Sequence, residues 1–99
     1  MRIKITSSAL DDLYEGWSFY EKQGEGLGEY FFDSLFSDID SLTLYGGIHL
    51  KVFGYHRMLS KRFPYAVYYK LEDALVVVVW RVLDLRRDPK KIKRLLKSG

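Results

Sequence analysis

The sequence predicts an α+β fold of order β-α-α-β-β-β: a helical hairpin packed on one face of a small, mainly antiparallel sheet, with a short basic helix at the C-terminus. Three observations predict it. Apolar residues recur at helical spacing between residues 10 and 44. They give way after residue 49 to runs rich in β-branched and aromatic residues, and glycine pairs mark the joints. The 99 residues suit one domain over 1–99, long enough to bury ~60–70% of the unfolded surface around one core.

Arg2-Ile3-Lys4-Ile5-Thr6 alternates with period two and opens the chain as a strand. Ser7 or Ser8 supplies the N-cap of the first helix, with Asp11 and Asp12 near the positive end of its dipole. Leu10, Leu13, Trp17 and Tyr20 make its apolar stripe, widened by Tyr14. Gln23-Gly24-Glu25-Gly26 stops it, because glycine enters the left-handed C-terminal conformation without a Cβ penalty. A second helix runs from about Leu27 to Leu44, with Phe31, Leu35, Ile39 and Leu42 on its apolar face and Phe32 and Phe36 beside them. Gly46-Gly47 ends it.

Four strand-like stretches follow: His49 to Phe53, Tyr55 to Phe63, Tyr65 to Leu71 and Leu75 to Leu85. Glu72-Asp73 makes the turn between the last two. Val76 to Val79 is apolar in both directions, which places this strand centrally, covered on both sides. Asp88-Pro89 reads as an N-cap followed by proline at the first helical position, with Ile92, Leu95 and Leu96 on one face of a final basic turn or two. Val67 and Tyr69 alternate with Ala66 and Tyr68, so both sheet faces carry apolar side chains. The hairpin covers one. The other is expected to stay open, an apolar surface rimmed by Lys and Arg and available to a partner.

Composition narrows the function. At 47% hydrophobic and 16% aromatic residues, the chain has the material for a packed core. It contains no cysteine, which rules out disulfides and thiolate metal sites and fits a cytoplasmic protein. The N-terminal alternation lacks the apolar core of a signal peptide. The run from Ala74 to Trp80 is about a third of the ~20 residues a membrane helix needs, so no membrane partner is expected. The net charge of +3 hides an asymmetry: residues 1–45 carry three Lys/Arg against nine Asp/Glu, and residues 46–99 carry thirteen against four. Such segregation attracts a polyanion or an acidic protein segment to one side.

No cofactor and no metal are expected. The glycines of Gly24-Glu25-Gly26-Leu27-Gly28 do not follow a strand and precede no Lys-Ser/Thr, unlike a phosphate-cradling loop. His49 and His56 fall on opposite faces of a continuous strand, and no nucleophile elbow is present. What remains is a basic set: Arg57, Lys61, Arg62, Arg81, Arg86, Arg87, and the tail Lys90, Lys91, Lys93, Arg94 and Lys97. Tyr55, Phe63, Tyr65, Tyr68 and Tyr69 are interleaved with it. Cations beside aromatic planes suit RNA or single-stranded nucleic acid, so a plain RNA-binding module fits these residues.

Two strings carry a resemblance. Arg62-Phe63-Pro64-Tyr65-Ala66-Val67-Tyr68-Tyr69, followed by a valine-rich strand and Val82-Leu83-Asp84-Leu85-Arg86-Arg87-Asp88-Pro89, resembles the RelE/ParE family of type II toxins, plasmid-stabilisation proteins among them. The resemblance extends over nearly the whole chain. It implies a growth-inhibiting protein neutralised by a cognate antitoxin, whose C-terminal segment would cover the open sheet face and the helices. RelE-like members cleave messenger RNA on the ribosome with several cations and a Tyr or His. A gap-free match sets Arg57 and Arg86 on two of those basic positions. Leu59 and Ala66 stand where such members have a Lys and an Arg, Ile92 where they have a C-terminal Tyr, and Asp84 where many relatives have His. A carboxylate repels phosphate and does not replace imidazole near neutral pH. The resemblance therefore implies ParE-like inhibition of DNA gyrase, with Lys61, Arg62, Arg81, Arg87, Lys90, Lys91, Lys93 and Arg94 as the docking surface. The alternative is RelE-like cleavage, with Arg57 and Arg86 on the phosphate.

Overall fold

A computed structural model describes residues 1–98. The elements run β1 Arg2–Ile5, α1 Ser7–Glu21, α2 Leu27–Asp40, α3 Leu42–Tyr45, β2 Lys51–Val52, β3 Tyr55–Leu59, β4 Tyr65–Asp73, β5 Val76–Asp84 and α4 Pro89–Ser98. The five strands form one sheet in the order β1-β5-β4-β3-β2; β1 is parallel to β5 and the other neighbours are antiparallel. The α+β class and the order of the main elements are as the sequence predicts. Among the described residues no helix is long and apolar enough to cross a membrane.

The helical hairpin differs from its sequence-level reading in detail. Thr6, not Ser7 or Ser8, is the N-cap of α1: its Oγ1 accepts from the Ala9 amide at 3.1 Å and donates to the Trp80 carbonyl at 2.8 Å, tying the helix start to β5. The buried face of α1 is Ala9, Asp12, Leu13 and Gly16, while Tyr14 is 60% exposed and Trp17 38%. Gly16 sets this phase. A Cβ there would lie 2.4 Å from the Phe31 ring, so the missing side chain lets α2 approach closely. Gly26, at φ 86°, begins α2 without a side chain to cap it. The Glu21 carboxylate substitutes, accepting from the Gly26 amide at 3.2 Å and the Gly28 amide at 2.9 Å. Phe31, Leu35, Ile39 and Leu42 are buried as expected. The helix expected to reach Leu44 breaks at Ser41, whose hydroxyl donates to the Asp38 carbonyl at 2.6 Å and competes with the helical ladder.

The strands are shorter or shifted. His49 to Phe53 contributes only Lys51–Val52, and the last hairpin turns at Ala74 and Leu75, not at Glu72-Asp73. Asp73 stabilises that turn by accepting from the Leu75 amide at 2.7 Å. In β5, Val79 pairs with Tyr69 and Arg81 with Tyr68, so Trp80 is the extra residue of a β-bulge.

Two cores result. Under the α1–α2 hairpin, Leu13, Phe31, Leu35, Val67, Tyr69, Val77, Val79 and Val82 pack together. On the opposite face, Ala66, Tyr68 and Leu83 pack against Ile92 and Leu96 of α4, with Tyr55, Trp80 and Leu85 alongside. The second sheet face, expected to be open, is therefore covered by the chain itself. The basic tail is a ten-residue helix, not a turn or two. Asp88 caps it through the Lys90 amide at 2.9 Å, and Ile92 and Leu96, one turn apart, seal it to the sheet. Burying such side chains contributes ~1.5–3 kcal/mol each. Three donors then fix its C-terminal carbonyls: Tyr55 Oη to Leu96 O at 3.2 Å, Trp80 Nε1 to Leu96 O at 3.0 Å and Arg81 Nη1 to Leu95 O at 3.1 Å. Leu95 O also accepts from the Ser98 hydroxyl at 3.3 Å, and a cation favours the negative end of the helix dipole.

Candidate target-binding surface

The outward face of α4 is the densest set of free cations. With Ile92 and Leu96 turned to the sheet, Lys90, Lys91, Lys93, Arg94 and Lys97 are all exposed. Among the described residues none of them forms an ion pair. The helical period thus gathers four of the expected docking residues, Lys90, Lys91, Lys93 and Arg94, into one field.

The remaining expected residues are dispersed. Arg81 is a correction. Its Nε and Nη2 form a bidentate pair with Asp12 at 2.7 and 2.8 Å, its Nη1 is taken by Leu95 O, and its side chain is 12% exposed. It belongs to the fold and not to a binding surface. The reason is topological. β1 ends opposite Val79, so β5 continues beyond it without a strand on that side. Asp12 from α1 fills the gap, its Oδ2 also accepting the Val82 amide at 3.0 Å. Arg81 reaches around that open edge and links the hairpin layer to α4.

Arg86 is fastened locally: its Nε and Nη2 meet Asp84 at 2.9 and 2.7 Å, and its guanidinium lies 5.6 Å from the centre of the Phe19 ring. Burial would raise the Asp84 carboxyl, but hydrogen bonds from Arg86 outweigh it and hold the group below its usual value. Arg87 lies 3.7 Å from Glu15. Lys61 and Arg62 occupy the β3–β4 loop, Lys61 with its amide on Asp38 at 3.3 Å and Arg62 with its guanidinium 6.0 Å from the Tyr30 ring centre.

Arg57 stands opposite Tyr68 on the α4 side of the sheet, whereas Arg86 lies beside Phe19 of α1 on the hairpin side. The structure does not bring the two together around one phosphate. Ala66 and Ile92, on positions where RelE-like members have Arg and Tyr, pack into the same apolar core. Burial pushes the Tyr65 hydroxyl up to about 12, with the Asp84 charge adding to it, and burial likewise raises Tyr68 against the opposing pull of Arg57. Both stay protonated at neutral pH.

Lys70 was not singled out by sequence reasoning. Its Nζ sits 4.8 Å from the Tyr55 ring centre and 4.6 Å from that of Trp80, and these two rings are stacked. The lysine is on β4 and Trp80 is the bulge residue, a placement that no periodicity signals.

The histidines are also placed differently from the expectation of opposite strand faces, because His49 lies outside the strand and folds back. Tyr69 Oη accepts from the Gly47 amide at 2.9 Å and lies within hydrogen-bond distance, 2.6 Å, of His49 Nδ1. His56 Nδ1 lies 2.6 Å from the His49 carbonyl, and its ring stacks on Tyr69. Burial, then the nearby His56, lowers the His49 pKa from 6.5. A histidine that is harder to protonate when folded adds stability that is complete above its unfolded value and is lost as pH falls through the folded one. The urea midpoint should therefore drop on going from pH 7 to pH 5, and His49→Gln should flatten that dependence. An unchanged profile in the variant would remove His49 from the account.

No protein-family model matches the chain, and no curated protein matches it. Among solved structures, a chain of the chromosomal ParDE TA system from P. aeruginosa superposes with a TM-score of 0.75, covering 87% of this chain and 97% of that one at 15% identity. The resemblance carried by the two strings thus extends to three dimensions, and the chain has the fold of that ParDE chain.

Proposed function

We propose that this chain is the toxin component of a type II toxin–antitoxin system, that it inhibits bacterial growth, and that it acts on DNA gyrase in the cytoplasm. The single observation that carries the class is the fold shared with the ParDE chain, reached independently from the RFPY and RRDP strings.

The choice of target rests on how the cations are distributed. RNA cleavage needs several charges converging on one phosphate, because stabilisation of this kind depends on preorganised geometry. Here Arg57 and Arg86 are on opposite faces, Arg81 and Arg86 are each in a bidentate pair, and Ala66 and Ile92 are core. The outer face of α4 instead offers an undivided positive field suited to docking on an acidic target.

The cognate antitoxin is assigned to the acidic hairpin. Between β1 and α2 lies a groove of about 600 Å³ lined by Ile3, Ile5, Phe36 and Ile39 and bordered by Asp33 and Asp40. Tyr14, Trp17 and Phe19 add exposed aromatic area on α1. A partner here would bury at least the ~1,200–2,000 Å² of a standard interface. Induced expression of the chain alone should arrest growth, and co-expression of the adjacent small open reading frame should restore it. Unimpaired growth at verified soluble expression would refute the reading.

A further inference from the structure

The charge on the outer face of α4 is more concentrated than a solvated helix needs. Lys90, Lys93, Arg94 and Lys97 recur at three- and four-residue spacing and form one ridge opposite Ile92 and Leu96, with Lys91 on its flank. Like charges at these spacings repel one another, and residues 89–98 contain no Asp or Glu to relieve them. Asp88, just ahead of the helix, accepts from the Lys90 amide at 2.9 Å. At the helical rise the ridge is about 10 Å long. Duplex DNA carries one charge per ~1.7 Å of its axis, or about six over that length. Five cations on the helix come close to that density. Lys70 extends the surface at the C-terminal end of α4: Tyr55 and Trp80 both donate to Leu96 O, and the Lys70 ammonium lies 4.8 and 4.6 Å from the centres of these two rings.

Two further observations select the occupant. Among the described residues from Val76 to Ser98, no large apolar side chain is exposed. Protein interfaces anchor on aromatic and apolar side chains and are poor in lysine. Contacts to a sugar–phosphate backbone are made by Lys and Arg without such anchors. Single-stranded nucleic acid, in turn, needs open rings on which its bases stack. On this side of the sheet Tyr68 is buried, and Tyr55 and Trp80 stack on each other beside the Lys70 ammonium. The face therefore suits a duplex backbone better than an acidic protein surface or a single strand.

We propose that the outer face of α4, together with Lys70, seats the sugar–phosphate backbone of duplex DNA regardless of its base sequence. The use of this contact rests on the gyrase reading: gyrase works on duplex DNA, so the positive field meets the DNA of that complex and not the enzyme's own surface.

Fluorescence anisotropy with the full chain and two labelled DNA duplexes of unrelated sequence, with no gyrase present, tests this. Both duplexes should bind equally, with a dissociation constant of ~1–100 μM. Log K should fall against log salt with a slope of about −3 to −5, at roughly −0.9 per phosphate neutralised. Lys93→Gln with Arg94→Gln should flatten that slope by about two, and Lys70→Gln by about one. Lys22→Gln, on the hairpin, should leave it unchanged. Absence of binding, preference for one sequence, a slope unmoved by the α4 variants, or equal competition by single-stranded DNA or by polyglutamate at matched charge would each overturn the proposal. A supercoiling assay on the same preparation separates this claim from the one beneath it. DNA binding with normal supercoiling would sink the gyrase reading and leave the surface standing; inhibited supercoiling without DNA binding would do the reverse.

Discussion

Replacing Lys90, Lys91, Lys93 and Arg94 together with glutamine should weaken growth arrest sharply while leaving the thermal midpoint unchanged. All four side chains lie on the outer face of α4, away from Ile92 and Leu96, and glutamine keeps a helix propensity close to lysine's. The fold therefore retains its second core. What disappears is the field that draws an acidic target to this face. Electrostatic steering of this kind changes association rates by ~10- to 1,000-fold and weakens as salt rises. The variant should need correspondingly more protein to act, and its residual activity should depend much less on ionic strength. Full toxicity in the quadruple variant would place the docking surface elsewhere. Circular dichroism and thermal melts of the same preparation separate lost function from lost structure.

Asp12→Ala is expected to have the largest effect on stability. The Asp12–Arg81 pair is nearly excluded from water, with side chains 6% and 12% exposed, and Arg81 is held more firmly charged by the hydrogen bonds it donates to Asp12. Removing the carboxylate leaves a buried guanidinium uncompensated and the Val82 amide without its acceptor. Breaking a buried pair from one side costs about 3–5 kcal/mol. The urea midpoint should fall accordingly, with the slope m unchanged. Because Arg81 also holds Leu95 O, α4 should loosen first, visible as faster amide exchange around Leu95 and Leu96. The double replacement Asp12→Leu with Arg81→Met should recover much of the loss, since two matched apolar groups leave no orphaned charge. A midpoint for Asp12→Ala close to wild type would show that the pair does not join the layers.

These two cases also mark what was legible in the sequence. The alternation of β1 and the i, i+4 stripe of Phe31, Leu35 and Ile39 are local patterns, and they identified the first strand and the hairpin core correctly. The phase of α1 was misread because Trp17 and Tyr14 are large and apolar, while the true contact is made by Gly16 against Phe31. A glycine's contribution is the side chain it lacks, which no hydropathy pattern registers. The cover of the second sheet face was missed because five cations mask the Ile92–Leu96 pair as a solvated tail. Arg81 was grouped with the docking residues by charge alone; its partner Asp12 lies 69 positions away, and only the early end of β1 makes room for it. His49 and His56 meet through Tyr69 because the chain folds back at residues with no periodicity. The surface cations of α4 were legible as individual residues, and their union on one face required knowing which side the helix buries.

The central claim is that this fold acts on gyrase through a docking surface and not on messenger RNA through a catalytic one. The most direct measurement adds purified chain to a gyrase supercoiling reaction with no ribosome present, in parallel with a translation reaction probed for cuts in its messenger RNA. The account predicts loss of supercoiling or accumulation of cleaved DNA, prevented by the antitoxin, with the messenger RNA intact. Ribosome-dependent cuts in the messenger RNA, together with normal gyrase activity at the same protein concentration, would contradict it.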